Sequence, residues 1–131
     1  MRLCKGRPLG YDVHITRKEE WTDFGNDISL AEWLAYVRSD PEMRLSGEAE
    51  AKPANGEFLR AETSSLSVWT GYSRHVEGEK MVWFALYRGS IAVKNPDPEI
   101  LRKMHQIASA LDARVQGDEC EFYGPDGEPE T

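Results

Sequence analysis

Asp12 and His14 are the two residues whose types and spacing could support chemistry. They stand two apart in a segment, residues 11–16, that strictly alternates apolar and polar side chains. In a strand this period places Asp12 and His14 on one face, where a carboxylate could orient an imidazole base or share a metal ion with it. A working site needs a third converging group, which the sequence does not identify. Because the alternation turns this face away from the core, we expect a speculative polar patch at the surface.

No other segment carries the spacing of a known catalytic or cofactor motif. The chain lacks the Gly-x-Ser-x-Gly turn of serine hydrolases, the glycine-rich loops that hold phosphates, and any Cys-x-x-Cys zinc pair. Its two cysteines, Cys4 and Cys120, have no neighbouring histidine and are expected to be reduced thiols. We therefore predict that the protein is not an enzyme and has no catalytic residue, cofactor or metal. A small-molecule-binding enzyme that uses Asp12 and His14 is the least favoured alternative.

The negative charge of the chain is concentrated at its C-terminal end. The formal net charge is −7, and residues 117–131 hold six acidic residues and no basic one. Nucleic-acid binding is disfavoured because it requires a basic surface. An acidic end instead attracts basic partners, so Asp118, Glu119 and Glu121 are predicted partner-binding residues. The alternative is that these acidic residues serve solubility alone.

Two tryptophans could supply an apolar binding surface. Trp69 and Trp83 fall on neighbouring predicted strands, 66–72 and 81–87, and could pair across them. If the pair faces the helices it belongs to the core, whereas on the other face it forms an aromatic patch of the kind found at interfaces. The continuous apolar run at 81–87 indicates that both faces of its strand are at least partly covered. We keep Trp69 and Trp83 as candidate partner-binding residues, with a core role as the alternative.

Two helices are predicted from their capping signals. Ser29 and Glu32 have the spacing of a capping box, and one apolar stripe follows until Asp40, which precedes a proline. The second helix has Asp97 as its N-cap and Pro98 in its first turn. Both helices therefore have a defined start and one face to bury.

Extended segments account for the rest of the predicted fold, at residues 11–16, 44–50, 57–62, 66–72, 81–87, 91–93, 113–116 and 119–123. Tight turns between consecutive strands predict an α+β domain, in which an antiparallel meander sheet carries two amphipathic helices on one face. The polar loop at 18–27 is expected to fold Trp21 and Phe24 back on the core. This domain spans residues 10–123, preceded by a loose leader at 1–9 and followed by a frayed acidic tail at 124–131.

The sequence predicts neither a membrane span nor an export signal. No apolar run approaches the roughly 20 residues that cross a bilayer, and no apolar stretch follows the basic residues of the leader. Together with the expected reduced thiols, these features indicate a cytoplasmic location.

Several segments resemble a family of small bacterial proteins. The matching segments are GYDVHITR (10–17) with the following Trp21, ISLAEW (28–33), DPE (40–42), VKNPD (93–97) and ARVQGDE (113–119). The resemblance covers residues 10 to about 123. The family in turn resembles immunity proteins of polymorphic or contact-delivered toxin systems.

This resemblance implies a cytoplasmic immunity protein that neutralises a cognate toxin by occlusion. Such a protein needs a stable scaffold and a complementary surface rather than an active site. The implied partner is the toxin, whose capture an acidic surface would speed if the toxin is basic, and neither nucleic acid nor membrane is a partner. The protein is expected to be a monomer or homodimer. The main alternative is an interaction module that self-associates through its sheet.

Overall fold

Seven strands form one sheet in the computed structural model of this chain, which describes residues 11–45 and 66–130. The strands are β1 (Asp12–Thr16), β2 (Met43–Leu45), β3 (Ser67–Trp69), β4 (Trp83–Tyr87), β5 (Ser90–Lys94), β6 (Arg114–Gly117) and β7 (Phe122–Tyr123). Two helices accompany them within these residues, α1 (Leu30–Ser39) and α2 (Pro98–Ala110). The predicted leader at 1–9, the predicted strand at 57–62 and residues 46–50 of the predicted strand at 44–50 lie outside the described residues.

The strands pair throughout in antiparallel fashion, in the order β2-β3-β4-β5-β1-β6-β7. Strands β2 to β5 follow one another across the sheet, and β1 is inserted between β5 and β6. The sequence predicts the strand at 57–62 as the neighbour of 44–50, but Met43–Leu45 pairs directly with Ser67–Trp69. This central place suits β1, because Val13 and Ile15 are 1% and 0% exposed. The predicted α+β class is confirmed, with the first strand of the chain in the middle of the sheet.

The helices begin where their capping signals predict. The Ser29 hydroxyl accepts the Glu32 backbone N–H at 3.1 Å, and a Glu32 carboxylate oxygen accepts the Ser29 backbone N–H at 3.0 Å. This reciprocal capping box opens α1, and Asp40 closes it. At α2, the Asp97 carboxylate accepts the Ile100 backbone N–H at 2.9 Å, and Pro98 is the first helical residue.

Both helices pack on the same face of the sheet. Trp33 of α1 lies against Phe84 of β4, with ring centroids 6.3 Å apart, and Met104 of α2 belongs to the same buried cluster. The sheet contributes its alternate residues to that cluster, among them Val13, Ile15, Phe84, Leu86, Ile91, Val93 and Val115. The intervening residues face the other way and define what we call the second face, with Asp12, His14, Trp83, Ala85, Ala92 and Gln116.

A buried ion pair joins α2 to the end of α1. The ammonium of Lys103 lies 2.8 Å from Asp40 Oδ2 and 3.4 Å from Glu42 Oε1, and the Tyr36 hydroxyl donates to the same Asp40 oxygen. The side chains of Lys103 and Asp40 are 3% and 8% exposed. Burial alone would raise the pKa of Asp40, but the hydrogen bonds from Lys103 and Tyr36 outweigh it and lower that pKa.

The C-terminal segment turns back along the outer edge of the sheet, where the sequence predicts a frayed tail. The Gly124 N–H donates to the Glu128 carbonyl at 3.0 Å, Tyr123 pairs with Pro129, and the Glu130 N–H donates to the Phe122 carbonyl at 2.7 Å. Residues 124–130 therefore cover the exposed edge of β7.

The state of Cys120 differs from the sequence prediction. Cys120 is disulfide-bonded, so the prediction of two reduced thiols is wrong; the other cysteine of the chain, Cys4, lies outside the described residues. Disulfides persist in oxidising compartments, so the predicted cytoplasmic location loses the support of reduced thiols. Neither α1 nor α2, the helices of the described ranges, is long and apolar enough to cross a membrane.

Candidate functional site

β1 places both Asp12 and His14 on the second face, as the alternation of the sequence predicts. His14 lies opposite Gln116 of β6 and Ala92 of β5. It is only 7% exposed, so the prediction of a surface position is wrong for His14, while Asp12 is half-buried. The reason is that the chain following β1 folds back over this face.

The loop between β1 and α1, residues 17–28, covers His14 with an indole ring. Trp21 stacks on His14 with ring centroids 4.0 Å apart and ring planes 10° from parallel. The Trp21 backbone N–H donates to Gln116 Oε1 at 2.7 Å, and Gln116 Nε2 donates to the Cys120 carbonyl at 3.3 Å. Trp21 thus folds back on the second face rather than on the core. The fully buried Gln116 connects this loop to the turn between β6 and β7, residues 118–121.

Asp118, in the β6–β7 turn, supplies the third converging group. Its Oδ1 lies 3.0 Å from His14 Nε2, and its Oδ2 accepts the Asp12 backbone N–H at 2.9 Å. Burial lowers the pKa of His14 below its usual 6.5, and the interactions with Asp118 offset only part of this effect. Residues that the sequence suggested as two separate patches therefore form one cluster.

Glu121 fixes the other side of the turn. The hydroxyls of Tyr11 and Tyr123 both donate to Glu121 Oε2, the second at 2.7 Å. The Glu119 backbone N–H donates to Glu121 Oε1 at 3.1 Å. A Cβ at Gly117 would lie 2.6 Å from the Tyr11 hydroxyl, so a side chain there would displace this arrangement. The turn is held in one conformation by its own carboxylates.

The three acidic residues predicted to bind a partner therefore differ in their surroundings. Asp118 is 9% exposed and Glu121 is half-buried, and both carboxylates accept hydrogen bonds from the protein. Glu119 is exposed. The structure places Asp118 and Glu121 in the framework of the turn and leaves Glu119 at its surface.

Further carboxylates extend the exposed charge around Glu119. Glu19 is exposed, and its backbone carbonyl lies 3.5 Å from the Gln116 amide that also contacts the turn. The segment that covers β7 adds three exposed acidic residues, and a Cβ at Gly124 would lie within 3.6 Å of the carboxylates of two of them, Asp126 and Glu130. We define the acidic surface as Glu19, Glu119, Asp126, Glu128 and Glu130.

Trp69 and Trp83 do not form a pair, because they lie on opposite faces of the sheet. The register places Val68 opposite Trp83, so Trp69 faces the helices. Trp69 is 6% exposed, and its indole N–H donates to Glu42 Oε1 at 3.0 Å. Trp83 lies on the second face, half-buried beside Ala85. Two strands, β5 and β1, separate Trp83 from the β6–β7 turn, so it does not join the acidic surface.

Trp83 instead borders a cleft of about 290 Å³ at the end of β4 and β5. Tyr72, Lys80, Met81, Lys94 and Ile100 also line it. Asp12 and His14 are not among the lining residues, so this cleft is separate from the cluster around His14.

The cluster around His14 connects the β1–α1 loop to the β6–β7 turn. A carboxylate that holds an imidazole is the arrangement of a general base, but here the ring lies beneath Trp21 and is largely shielded from solvent. In residues 11–45 and 66–130, no group of three His, Cys, Asp or Glu side chains could hold a metal ion. The contacts of His14 with Trp21 and Asp118 instead hold the β1–α1 loop against the β6–β7 turn.

Phe24 is the exposed residue of this region that sequence reasoning misplaced. We expected it to fold back on the core, yet it is 96% exposed at the tip of the β1–α1 loop. The polar residues on both sides of Phe24 were the available signal, because a lone aromatic residue in a polar loop has no apolar neighbours to bury it.

Comparison with family models, with curated proteins and with solved structures gives no match to the chain. The resemblance to immunity proteins therefore stays a prediction.

Proposed function

We propose that this protein binds a basic protein partner through its acidic surface, and that the partner is a toxin which it neutralises by occlusion. The observation that carries the proposal is the set of exposed carboxylates at the β7 edge of the sheet, in the β6–β7 turn, in the neighbouring β1–α1 loop and in the segment that pairs with β7. Residues 117–131 contain no basic residue of their own. Two arginines from other elements contact this region, Arg102 at the Asp126 carbonyl and Arg114 over the Phe122 ring, so the five exposed carboxylates outnumber the neighbouring cations. An excess of acidic over basic side chains on a surface raises the association rate with a partner of opposite charge.

The rigidity of the turn supports a binding role. Glu119 stands between Asp118, which His14 holds, and Glu121, which two tyrosine hydroxyls hold. A charge presented on an ordered framework costs little conformational entropy when it meets its partner. Asp118 and Glu121 are held by hydrogen bonds within the fold while Glu119 is exposed, as expected of a surface that binds a partner.

The first experiment is an affinity capture with the tagged full chain from a lysate of its source organism. Capture is carried out at about 20 mM and at about 500 mM salt, since screening weakens interactions between exposed charges. We expect one stoichiometric partner with a basic surface, lost at high salt. The captured protein should arrest growth when produced alone and should not do so when produced with this chain. A captured protein with no growth effect would overturn the immunity role, and the absence of a partner would overturn binding altogether.

The contribution of the acidic surface is tested by charge neutralisation. The variant Glu119→Gln/Glu128→Gln removes two exposed charges and leaves the framework residues Asp118 and Glu121 intact. We expect its association rate with the captured partner to fall roughly fivefold at low salt, with a flatter salt dependence. The control Glu79→Gln/Asp112→Asn removes two exposed acidic residues elsewhere. Equal rates for the two variants would exclude the acidic surface.

A further inference from the structure

Phe24 is almost fully exposed although it is a large apolar side chain. It is 96% exposed, and Gly25 and Asn26 follow it with φ angles of +88° and +53°. These left-handed residues turn the chain sharply after Phe24 and leave its ring at the tip of the β1–α1 loop. An aromatic ring left in water forgoes the free energy of burial, which a binding partner could recover.

The loop that carries Phe24 is fixed at several points. The buried ammonium of Lys18 donates to the Gly25 carbonyl at 2.8 Å and lies 2.7 Å from Asp27 Oδ1. The Ile28 N–H donates to the Gly89 carbonyl at 2.9 Å, and Trp21 stacks on His14. Because both ends of the tip are held, the position of Phe24 is set before any partner arrives.

The charges around Phe24 indicate the chemistry of that partner. Glu19 and Asp23 are exposed on the same loop. The two cations of the loop have acidic partners, Arg17 with Glu32 at 2.8 Å and Lys18 with Asp27 at 2.7 Å. A loop that exposes this ring together with the carboxylates of Glu19 and Asp23 is complementary to an apolar pocket bordered by basic side chains.

We propose that Phe24 is the anchor of the interface: it inserts into an apolar pocket, bordered by Lys or Arg side chains, on the protein partner. This inference rests on the proposed function, because Phe24 is expected to contact the same partner as the acidic surface. Ring insertion supplies affinity, while the carboxylates steer the approach. Anionic lipid would be repelled by Glu19 and Asp23, and a second copy of this chain would bring the same negative charge.

Photo-cross-linking from Phe24 tests the inference. The full chain is prepared with benzoylphenylalanine in place of Phe24, of Glu119, or, as the control, of Tyr87, which is 43% exposed on the second face. Each protein is irradiated in the lysate at low salt, and adducts are mapped by mass spectrometry. We expect positions 24 and 119 to capture the same protein and position 87 to capture none. The peptide attached at position 24 should be apolar with flanking Lys or Arg residues.

The substitution Phe24→Ala then measures the contribution of the ring. We expect it to weaken affinity for the captured protein by about 30-fold or more, mainly through faster dissociation. Its melting temperature should equal that of the unsubstituted protein, because an exposed side chain contributes little to folding. Tyr87→Ala should leave affinity unchanged.

The remaining outcomes separate this inference from the proposed function. An adduct from position 119 without one from position 24 overturns the anchor and leaves the acidic surface standing. Adducts from neither position overturn both. An adduct at position 24 with an acidic peptide, with lipid or with a second copy of the chain overturns the anchor, as does an affinity unchanged by Phe24→Ala.

Discussion

His14 lies between the indole of Trp21 and the carboxylate of Asp118, and the two surroundings act on its charge in opposite directions. Removal from water disfavours the imidazolium, while the Asp118 carboxylate favours it. Burial has the larger effect, so the pKa of His14 is lowered in the folded protein. The imidazole of His14 is therefore uncharged at neutral pH. Protonation at acid pH should weaken the contact that His14 makes between the β1–α1 loop and the β6–β7 turn.

The pH dependence of stability tests this charge state. The unfolded chain has the ordinary histidine pKa of about 6.5 and binds more protons than the folded chain below that value, so stability should decrease as the pH falls from there towards the lowered pKa. His14→Gln keeps a donor for Asp118 but does not titrate. We expect urea denaturation at about pH 7.5 and about pH 5.5 to show a smaller loss of unfolding free energy in this variant.

The control for that measurement is His105→Gln, which replaces the half-buried histidine of α2. It leaves the contact between His14 and Asp118 intact. If His14→Gln and the unsubstituted protein lose the same unfolding free energy between the two pH values, the lowered pKa of His14 is refuted.

The two helices are the elements best predicted from sequence, because their signals are local. Ser29 and Glu32 are three residues apart, and Asp97 immediately precedes Pro98, so a short window contains all the atoms that set each start. The order of strands depends on contacts between distant residues. Turn signals predict the pairing of neighbours such as β4 with β5, but they carry no information on where β1 enters the sheet.

The ion pair between Lys103 and Asp40 connects the two helices and should be needed for their packing. Lys103→Met removes the cation and leaves the Asp40 carboxylate buried, which should lower the unfolding free energy by about 3 kcal/mol. The double variant Lys103→Met/Asp40→Asn no longer buries an unpaired charge and should recover part of that loss. Urea denaturation of the two variants measures the difference. A double variant less stable than Lys103→Met would contradict this account.

At the scale of the whole molecule, the sequence identifies residues of the candidate site but does not predict the contacts between them. Asp12, His14 and Asp118 were each identified from residue type and charge. His14 and Asp118 are 104 positions apart, so their contact depends on β1 lying beside β6, which no local pattern encodes. Trp21 and Phe24 illustrate the same limit, since both were expected in the core and the loop geometry places them on the second face and in solvent.

The segment at 124–130 gives the molecule a protected edge, and its removal should create a new interface. Its pairing with β7 gives backbone groups at the outer edge of the sheet their hydrogen-bond partners. Pro129 has no backbone N–H and cannot donate to a further strand. Deleting residues 124–131 should expose β7 and cause dimerisation that increases with concentration in sedimentation experiments. The full-length variant Asp126→Asn/Glu128→Gln/Glu130→Gln loses the same charges but keeps the cover, so it should sediment like the unsubstituted protein. If this variant also dimerises, charge repulsion rather than the pairing of residues 124–130 with β7 keeps the copies apart. A truncated chain that stays monomeric would show that β7 does not need this pairing to remain unassociated.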